Sequence, residues 1–150
     1  MQLTEHFTLA EVTRTGTGLP NDPPAAVVEK LRALCVHVLE PVREHFKRPV
    51  KVNSGYRSPA VNAAVGSKPT SDHCKGCAAD IEIDGVSNYE LAKWVRDNLQ
   101  FKQLILEAYK PGIPSSGWVH VAYIDGNNSK SVLTMSMSSH GPVYTNGLNA

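Results

Sequence analysis

Residues 77–84, CAADIEID, alternate between apolar and acidic side chains, and this alternation specifies the central strand of the fold. Ala79, Ile81 and Ile83 would point to one side of a strand, while the acidic residues would point to the other side. A period of two predicts a half-buried strand with one face on a core and one face open. The acidic residues on the predicted open face are Asp80, Glu82 and Asp84.

Stretches on either side of this one predict further strands of the same sheet. GWVHVAYI at 117–124 alternates in the same way, with Trp118, His120 and Ala122 on one face. Three shorter stretches are also rich in β-branched and apolar residues, which favour strands. They are VKVN at 50–53, QLILEA at 103–108 and KSVLTMSM at 130–137.

The first half of the chain predicts a long helix. Apolar residues between 28 and 46 recur at steps of three and four, which is typical of one helix face on a core. Asp22 is the predicted N-cap, with Pro23 at the first helical position. Pro41 is expected to kink or split the helix, and Cys35 is expected to be a small core residue.

Two shorter helices and a tail complete the predicted architecture. Ser58 begins a short helix through Ala64, and the capping sequence SNYE begins another, over residues 87–99. Residues 139–150 predict an irregular tail. Early helices followed by closely spaced strands favour one α+β domain over residues 1–150, with a largely antiparallel sheet and a core at about 7–135.

Composition excludes several classes of protein. The chain has 150 residues, 41% of them hydrophobic, and a formal net charge of +1, which is ordinary for one folded domain. This charge predicts no general attraction to nucleic acid or acidic membranes, and no apolar run reaches the roughly 18 residues of a membrane span. The N-terminus, MQLTEHFTLAEV, shows no signal peptide, so we expect synthesis in the cytoplasm.

Three residues indicate a metal site. His73 lies in the stretch SDHCKGCAAD at 71–80, Asp80 ends that stretch, and His120 lies on a separate predicted strand. Two imidazoles and one carboxylate form a normal three-ligand shell for catalytic zinc, with a fourth position left for water. On spacing alone, a chain with six histidines offers such triples by chance, and a strand histidine is often a hydrogen-bonded core residue.

Three short blocks, taken together, resemble a known family. They are SGYRS at 54–58, SDHCKGCAAD at 71–80 and GWVH at 117–120, and the second contains the pattern S-x-H-x-x-G-x-A-x-D. In this order they resemble the zinc D-Ala-D-Ala carboxypeptidase family, which also includes murein endopeptidases and phage endolysins. The resemblance runs from FTLAEV at 7–12 to VLT at 132–134, which is most of the chain.

The resemblance implies a fold, a metal and a substrate. The fold would be of the hedgehog/DD-peptidase type, with Zn²⁺ held by His73, Asp80 and His120. Arg57 would grip a substrate carboxylate, and Ser71 would lie beside the metal and bind substrate. The substrate would be the peptidoglycan stem peptide, cut at D-Ala-D-Ala or at an internal bond. Action on the cell wall without a signal peptide is typical of phage-delivered enzymes.

The general base departs from the family pattern. Many relatives place an acidic residue three positions before the final histidine, where this chain has Gly117. Glu107 is the predicted base, because pairing of its strand with residues 118–123 would bring its carboxylate near the metal. The alternative is a solvated strand glutamate. Asp72 and Glu82 are weaker candidates for the base.

Two alternatives stay open from sequence. Cys74 and Cys77, next to His73, are spaced as in a structural zinc site, although no second cysteine pair supplies the remaining ligands. The odd number of cysteines argues against a disulfide framework. Because of Gly117, a non-catalytic zinc-binding structural or interaction protein with the same fold, for example in a phage tail, is the alternative function.

Overall fold

A computed structural model describes residues 1–149 and confirms an α+β domain around one six-stranded sheet. The strand order is β1-β2-β4-β3-β5-β6, and all neighbours are antiparallel except β3 and β5, which are parallel. The strands are β1 Lys51–Ser54, β2 Ala78–Glu82, β3 Gln103–Glu107, β4 Trp118–Ala122, β5 Ser131–Ser138 and β6 Gly141–Asn146. Each stretch predicted to be a strand overlaps one of the strands β1 to β5.

The helices lie mainly in the first two thirds of the chain. Two of the predicted helices have their predicted caps, since the side chains of Ser58 and Ser87 accept hydrogen bonds from the N–H groups of Val61 and Glu90. Each such cap contributes about 1 kcal/mol. The helices are α1 Leu9–Val12, α2 Ala25–Leu34, α3 Glu40–Phe46, α4 Pro59–Ala64 and α5 Asn88–Asn98.

The long helix is divided, as Pro41 predicts, but it begins later than expected. A π-helical segment, Cys35–Leu39, joins α2 to α3 just before Pro41, whose missing N–H cannot continue an α-helical ladder. The predicted cap at Asp22 is wrong, because Pro24 occupies the N-cap position. A residue before proline is disfavoured in helical conformation, so Pro23 stays outside the helix.

The two faces of the sheet have different surroundings. The core face, which carries Ile81, Leu104 and Val119, packs against the helices, and these three residues are fully buried with Leu31 and Leu34. Cys35 is buried in the same core, as predicted. The open face carries the alternate residues of the same strands, and many of them line a groove on that side of the sheet.

The C-terminal segment corrects the prediction of an irregular tail. Residues 141–146 form β6, an edge strand that pairs with β5 from Leu133↔Asn146 to Ser138↔Gly141. Glycine and Pro142 made this segment look like a loop, but a proline is compatible with an edge strand, which has one unpaired side. The core also begins earlier than predicted, because Leu3 is buried. Within residues 1–149 no helix is both long and apolar enough to cross a membrane.

Candidate metal centre

Three predicted ligands converge on the open face of the sheet. Asp80 on β2 and His120 on β4 are paired residues in the antiparallel ladder, so both side chains point to the same face. His73 reaches them from a 3₁₀ turn, Asp72–Lys75, that precedes β2. Asp80 Oδ1 lies 3.0 Å from His120 Nδ1 and 3.4 Å from His73 Nε2. One ligand atom from each residue lies within 4.8 Å of the other two.

The local sequence fixes the ring of His73. Ser71 caps the 3₁₀ turn, because its side chain accepts a hydrogen bond from the His73 N–H at 3.2 Å. His73 Nδ1 lies 2.7 Å from the carbonyl oxygen of Gly55. A carbonyl only accepts, so Nδ1 carries the proton, and Nε2 presents a lone pair to the cluster in the neutral ring. Gly55 is required here, since a Cβ at this position would overlap the Val12 carbonyl oxygen.

The donor set fits a divalent cation. With Nδ1 of His73 protonated, the lone pair of its Nε2 and an Asp80 oxygen face each other at 3.4 Å. Two such atoms repel unless a proton or a cation lies between them. Two imidazole nitrogens and one carboxylate oxygen match the shell of catalytic zinc, and a backbone carbonyl behind a ligating histidine is the usual supporting contact. His73, Asp80 and His120 therefore meet the chemical requirement, and their role as ligands stays a prediction.

Electrostatics favour the anionic form of Asp80. Burial acts to raise the pKa of this carboxyl, but the two neighbouring imidazoles, His120 above all, together outweigh burial and hold the pKa well below its usual range. Burial acts to lower the pKa of His120, but the hydrogen bond to Asp80 and the negative charges of Asp80, Glu107 and Asp72 together outweigh burial and raise the pKa. A metal ligand must be deprotonated, and Asp80 is already a carboxylate at neutral pH.

Arg57 lies at the β1 side of the cluster. Its guanidinium is 3.0 Å from Ser54 Oγ, 3.5 Å from Asn62 Oδ1 and 3.5 Å from Asp80 Oδ2. Its backbone N–H donates to the His73 carbonyl. The remaining guanidinium N–H donors have no protein partner among residues 1–149. Arg57 thus orients Asp80 and keeps donors for a second carboxylate, which is compatible with the predicted substrate role.

Glu107 lies beside the ligands on the same face. It is paired with Trp118 across β3 and β4, and the Trp118 indole N–H donates a hydrogen bond to its carboxylate. Burial raises the pKa of Glu107, and the Asp80 charge adds to this effect, while His120 and the indole N–H oppose it. The predicted strand pairing is present, and it places one oriented carboxylate next to the cluster. Whether Glu107 is the base stays a prediction.

The structure explains the departure at Gly117. This residue has a positive φ of 67°, and a Cβ there would overlap the backbone of Glu107 and Ala108. Any side chain, acidic ones included, is therefore disfavoured at this position. The close approach of residue 117 to β3 is what brings the end of that strand, with Glu107, up to β4. The absence of a side chain at Gly117 and the position of Glu107 therefore depend on the same close contact between the two strands.

Other candidate residues have structural partners. Asp72 forms an ion pair with Lys102 at 2.9 Å, and Glu82 accepts hydrogen bonds from Asn53 and Asn88. These contacts hold the His73 turn and the end of β2 to their neighbours. Asp72 also lines the groove that Glu107 lines, and the ranking of these carboxylates as bases stays a prediction.

The cysteines lie outside the cluster. Cys77 is buried, Cys74 is partly exposed, and burial raises the pKa of both thiols. A raised pKa disfavours the thiolate that zinc requires. Within residues 1–149, the only group of three or more candidate ligands is the one formed by His73, Asp80 and His120.

Sequence reasoning missed two buried asparagines. Asn62 donates to the carbonyls of Ser67 and Lys68 and accepts from Arg57, and Asn21 bonds Thr13, Tyr56 and Ser58 in the same way. Both side chains hold the SGYRS block, and Asn62 also holds the loop that leads to Ser71. Asn62 lies inside the short helix α4, where asparagine has a low helix propensity, and this low propensity could have indicated a structural role for its side chain. The role of Trp118 had no sequence signal.

A groove of about 880 Å³ surrounds these residues. One side is formed by Arg57, Lys68 and Ser71, and the floor by His120 and Glu107. The other side is formed by residues of β5 and β6, namely Leu133, Met135, Pro142 and Tyr144. The groove is open to solvent along the sheet and therefore suits an extended ligand.

Comparison with models of protein families gives a match. The model of the family described as Peptidase M15 matches residues 5–122, which is most of the chain and includes every predicted site residue. No curated protein matches.

Proposed function

The chain belongs to the peptidase M15 family, and on that premise we propose that it is a zinc-dependent peptidase that hydrolyses peptides of bacterial peptidoglycan. The family supports a metallopeptidase, and the convergence of His73, Asp80 and His120 is the observation that carries the proposal. The bond we propose is either the D-Ala-D-Ala bond or an internal bond of the stem peptide. Its place of action is then the cell wall, as for phage lysis enzymes.

The metal would supply the electrophile. Zinc held by two imidazoles and one carboxylate lowers the pKa of water to near neutrality and polarises a carbonyl. His73 is held for this purpose by the Gly55 carbonyl, and Asp80 by Arg57. The ligands are thus oriented before any substrate arrives, which is what such a site needs.

Glu107 would carry the proton. Its carboxylate takes a proton from the attacking water and returns it to the amine that leaves. A base works best when its pKa is not far below the working pH, and burial raises the pKa of Glu107 in this direction. The hydrogen bond from Trp118 fixes the orientation of the carboxylate.

Arg57 would hold the substrate. Arg57 lines the groove next to Asp80, and its unpaired guanidinium donors would form paired hydrogen bonds with a peptide carboxylate. This contact sets the distance between the substrate's carboxylate and the reacting carbonyl. Ser71 lies on the same side, with its hydroxyl hydrogen free to donate.

The test uses purified, zinc-loaded protein and bacterial peptidoglycan sacculi. Mass spectrometry follows released D-Ala and new amino termini, which separates carboxypeptidase from endopeptidase. We expect release by the wild type and by Glu44→Gln, an exposed control, and none by Glu107→Gln or His120→Ala. Bound zinc with no release from sacculi of several bacteria would instead support the non-catalytic alternative.

A further inference from the structure

A second cavity, of about 290 Å³, adjoins the groove at Arg57. Arg57 and Val65 line both spaces, whereas the predicted ligands and Glu107 line only the groove. The rest of the cavity's lining comes mostly from residues 14–17, in the loop after α1, and from the end of β1. Ligand pockets have volumes of about 300–1,000 Å³, so a cavity of this size suits a short extension of a ligand that is bound in the groove.

The lining of this cavity carries positive charge and no negative charge. Arg14 and Arg57 line it together with the hydroxyl-bearing side chains of Thr15, Thr17 and Ser54, and no acidic residue does. Arg57 is paired with Asp80, but Arg14 has no ion-pair partner within residues 1–149, so Arg14 supplies the uncompensated charge. A guanidinium group at a cavity attracts anions and can donate two parallel hydrogen bonds to a carboxylate.

The backbone on both sides of the cavity is held by one buried side chain. The amide group of Asn21 donates hydrogen bonds to the carbonyl oxygens of Thr13 and Tyr56, at 2.7 and 2.8 Å. These two residues directly precede Arg14 and Arg57 in the chain. The backbone positions of the two arginines are therefore fixed relative to each other before a ligand binds, which lowers the entropic cost of binding.

The place of the cavity next to Arg57 indicates what it would bind. In the proposed reaction Arg57 holds the carboxylate of a terminal leaving residue, and such a substrate ends before the cavity. When the peptide continues past the leaving residue, Arg57 contacts a carbonyl oxygen instead, and the next residue lies about 3.4 Å further along the chain. A continuing peptide therefore enters the cavity that adjoins the groove at Arg57.

We propose that this cavity binds a carboxylate of the substrate that lies one residue beyond the leaving residue, with Arg14 as its main partner. This site rests on the proposed peptidase function and narrows it, because only a peptide cut at an internal bond supplies such a group. The groove and the cavity share Arg57, which favours the substrate chain itself over an unrelated anion as the occupant.

Three synthetic peptides test this proposal. Acetyl-Lys-D-Ala-D-Ala ends at the leaving residue, and two longer peptides add one Gly after it, which ends in a carboxylate in one and in a carboxamide in the other. Calorimetry measures their affinity for the zinc-loaded Glu107→Gln protein, and mass spectrometry follows cleavage of the D-Ala-D-Ala bond by the wild type. We expect the longer carboxylate peptide to bind about tenfold more tightly than the carboxamide, the scale of one hydrogen bond between charged groups.

Variants of Arg14 in the Glu107→Gln background assign this preference. Arg14→Gln should reduce the preference for the carboxylate to less than about twofold and leave the affinity for the short peptide unchanged. Arg14→Lys should keep part of the preference, because the charge remains while the paired donors are lost. Arg43→Gln is the matched control, since it removes the same charge from α3 and Arg43 lines neither space. Circular dichroism checks that each variant is folded.

The outcomes separate this proposal from the proposed function. Equal affinity for the two longer peptides, a preference unchanged in Arg14→Gln, or an equal loss in Arg43→Gln would overturn the carboxylate site. Cleavage of the peptides by the wild type without any such preference would remove the site and keep the peptidase. A preference that depends on Arg14, with no cleavage by the wild type, would support the site and count against the peptidase.

Discussion

The open face and the core face of the sheet are built from alternate residues of the same strands, yet their side chains have opposite tasks. Ile81 and Val119 are fully buried against the helices, while their neighbours Asp80 and His120 keep side-chain exposures of 10% and 12% on the groove. The core face contributes stability by burying apolar surface. The open face carries charged and polar groups. Their relative positions matter for the proposed chemistry more than these groups matter for stability.

The largest expected effect comes from removing a predicted ligand on the open face. His120→Ala should lower kcat/KM on sacculi about a thousandfold or more, because metal catalysis contributes several kcal/mol. Zinc retained after dialysis, measured by atomic emission, should fall as well, with little change in the melting temperature of the metal-free protein. The control is His140→Ala, because His140 lies in an exposed turn. Full activity of His120→Ala would contradict the assignment of the catalytic groups to the open face.

A substitution on the core face should do the reverse. Leu104→Ala removes a fully buried side chain and should reduce the free energy of unfolding by about 2–5 kcal/mol in urea titrations. Below its melting transition the variant should keep kcat/KM, because Leu104 points away from the groove. Val36→Ala, at a 48% exposed position, should cost less than about 0.5 kcal/mol. Equal costs for these two variants would contradict the assigned core.

The contact between β3 and β4 at Gly117 can be isolated by a matched pair of glycines. Gly117 and Gly112 both have positive φ, 67° and 87°, but a Cβ has open space only at Gly112. Gly112→Ala should therefore cost about 1 kcal/mol, from backbone strain alone, and Gly117→Ala about 1–3 kcal/mol more. Thermal unfolding measures both. Similar costs would mean that β3 does not approach residue 117 closely.

A smaller effect is expected from the indole that holds Glu107. Trp118→Phe keeps the ring and removes the N–H donor, so kcat should fall about tenfold, the scale of one hydrogen bond to a charged group. Losing this donor raises the pKa of Glu107 further, so the acid limb of the kcat/KM profile should move to higher pH. Trp94→Phe on α5 is the control. An unchanged pH profile would show that Trp118 does not affect the pKa of the catalytic base.

The smallest effect concerns stability and pH. The pKa of Glu107 is raised above its ordinary 4.5 in the folded state, so the folded protein binds this proton more tightly than the unfolded chain does. The contribution of Glu107 to stability should therefore decrease as pH rises from about 4.5 through the raised pKa, so the wild type should lose stability relative to Glu107→Gln. Melting temperatures of both proteins at pH 4 and pH 7 test this, with Glu44→Gln as control. A wild type that gains stability relative to Glu107→Gln on going to pH 7 would contradict the prediction.

Much of this arrangement follows from local patterns in the sequence. The alternation in CAADIEID and GWVHVAYI predicted which residues share a face, because a strand has a period of two. The caps at Ser58 and Ser87 were predictable because they depend on neighbouring residues only. Asp22 was a wrong cap because two consecutive prolines delayed the helix, and β6 was missed because its pairing with β5 decides its conformation.

The sequence alone determined the types of side chain, their alternation along each strand and, through three ordered blocks, a family resemblance. Only the tertiary structure decided that β2 and β4 are neighbours, that Gly117 packs against β3 and brings Glu107 to the ligands, and that β5 and β6 extend the groove. Register and strand order arise from long-range pairing and the packing of a shared core, and no local pattern along the chain encodes those contacts.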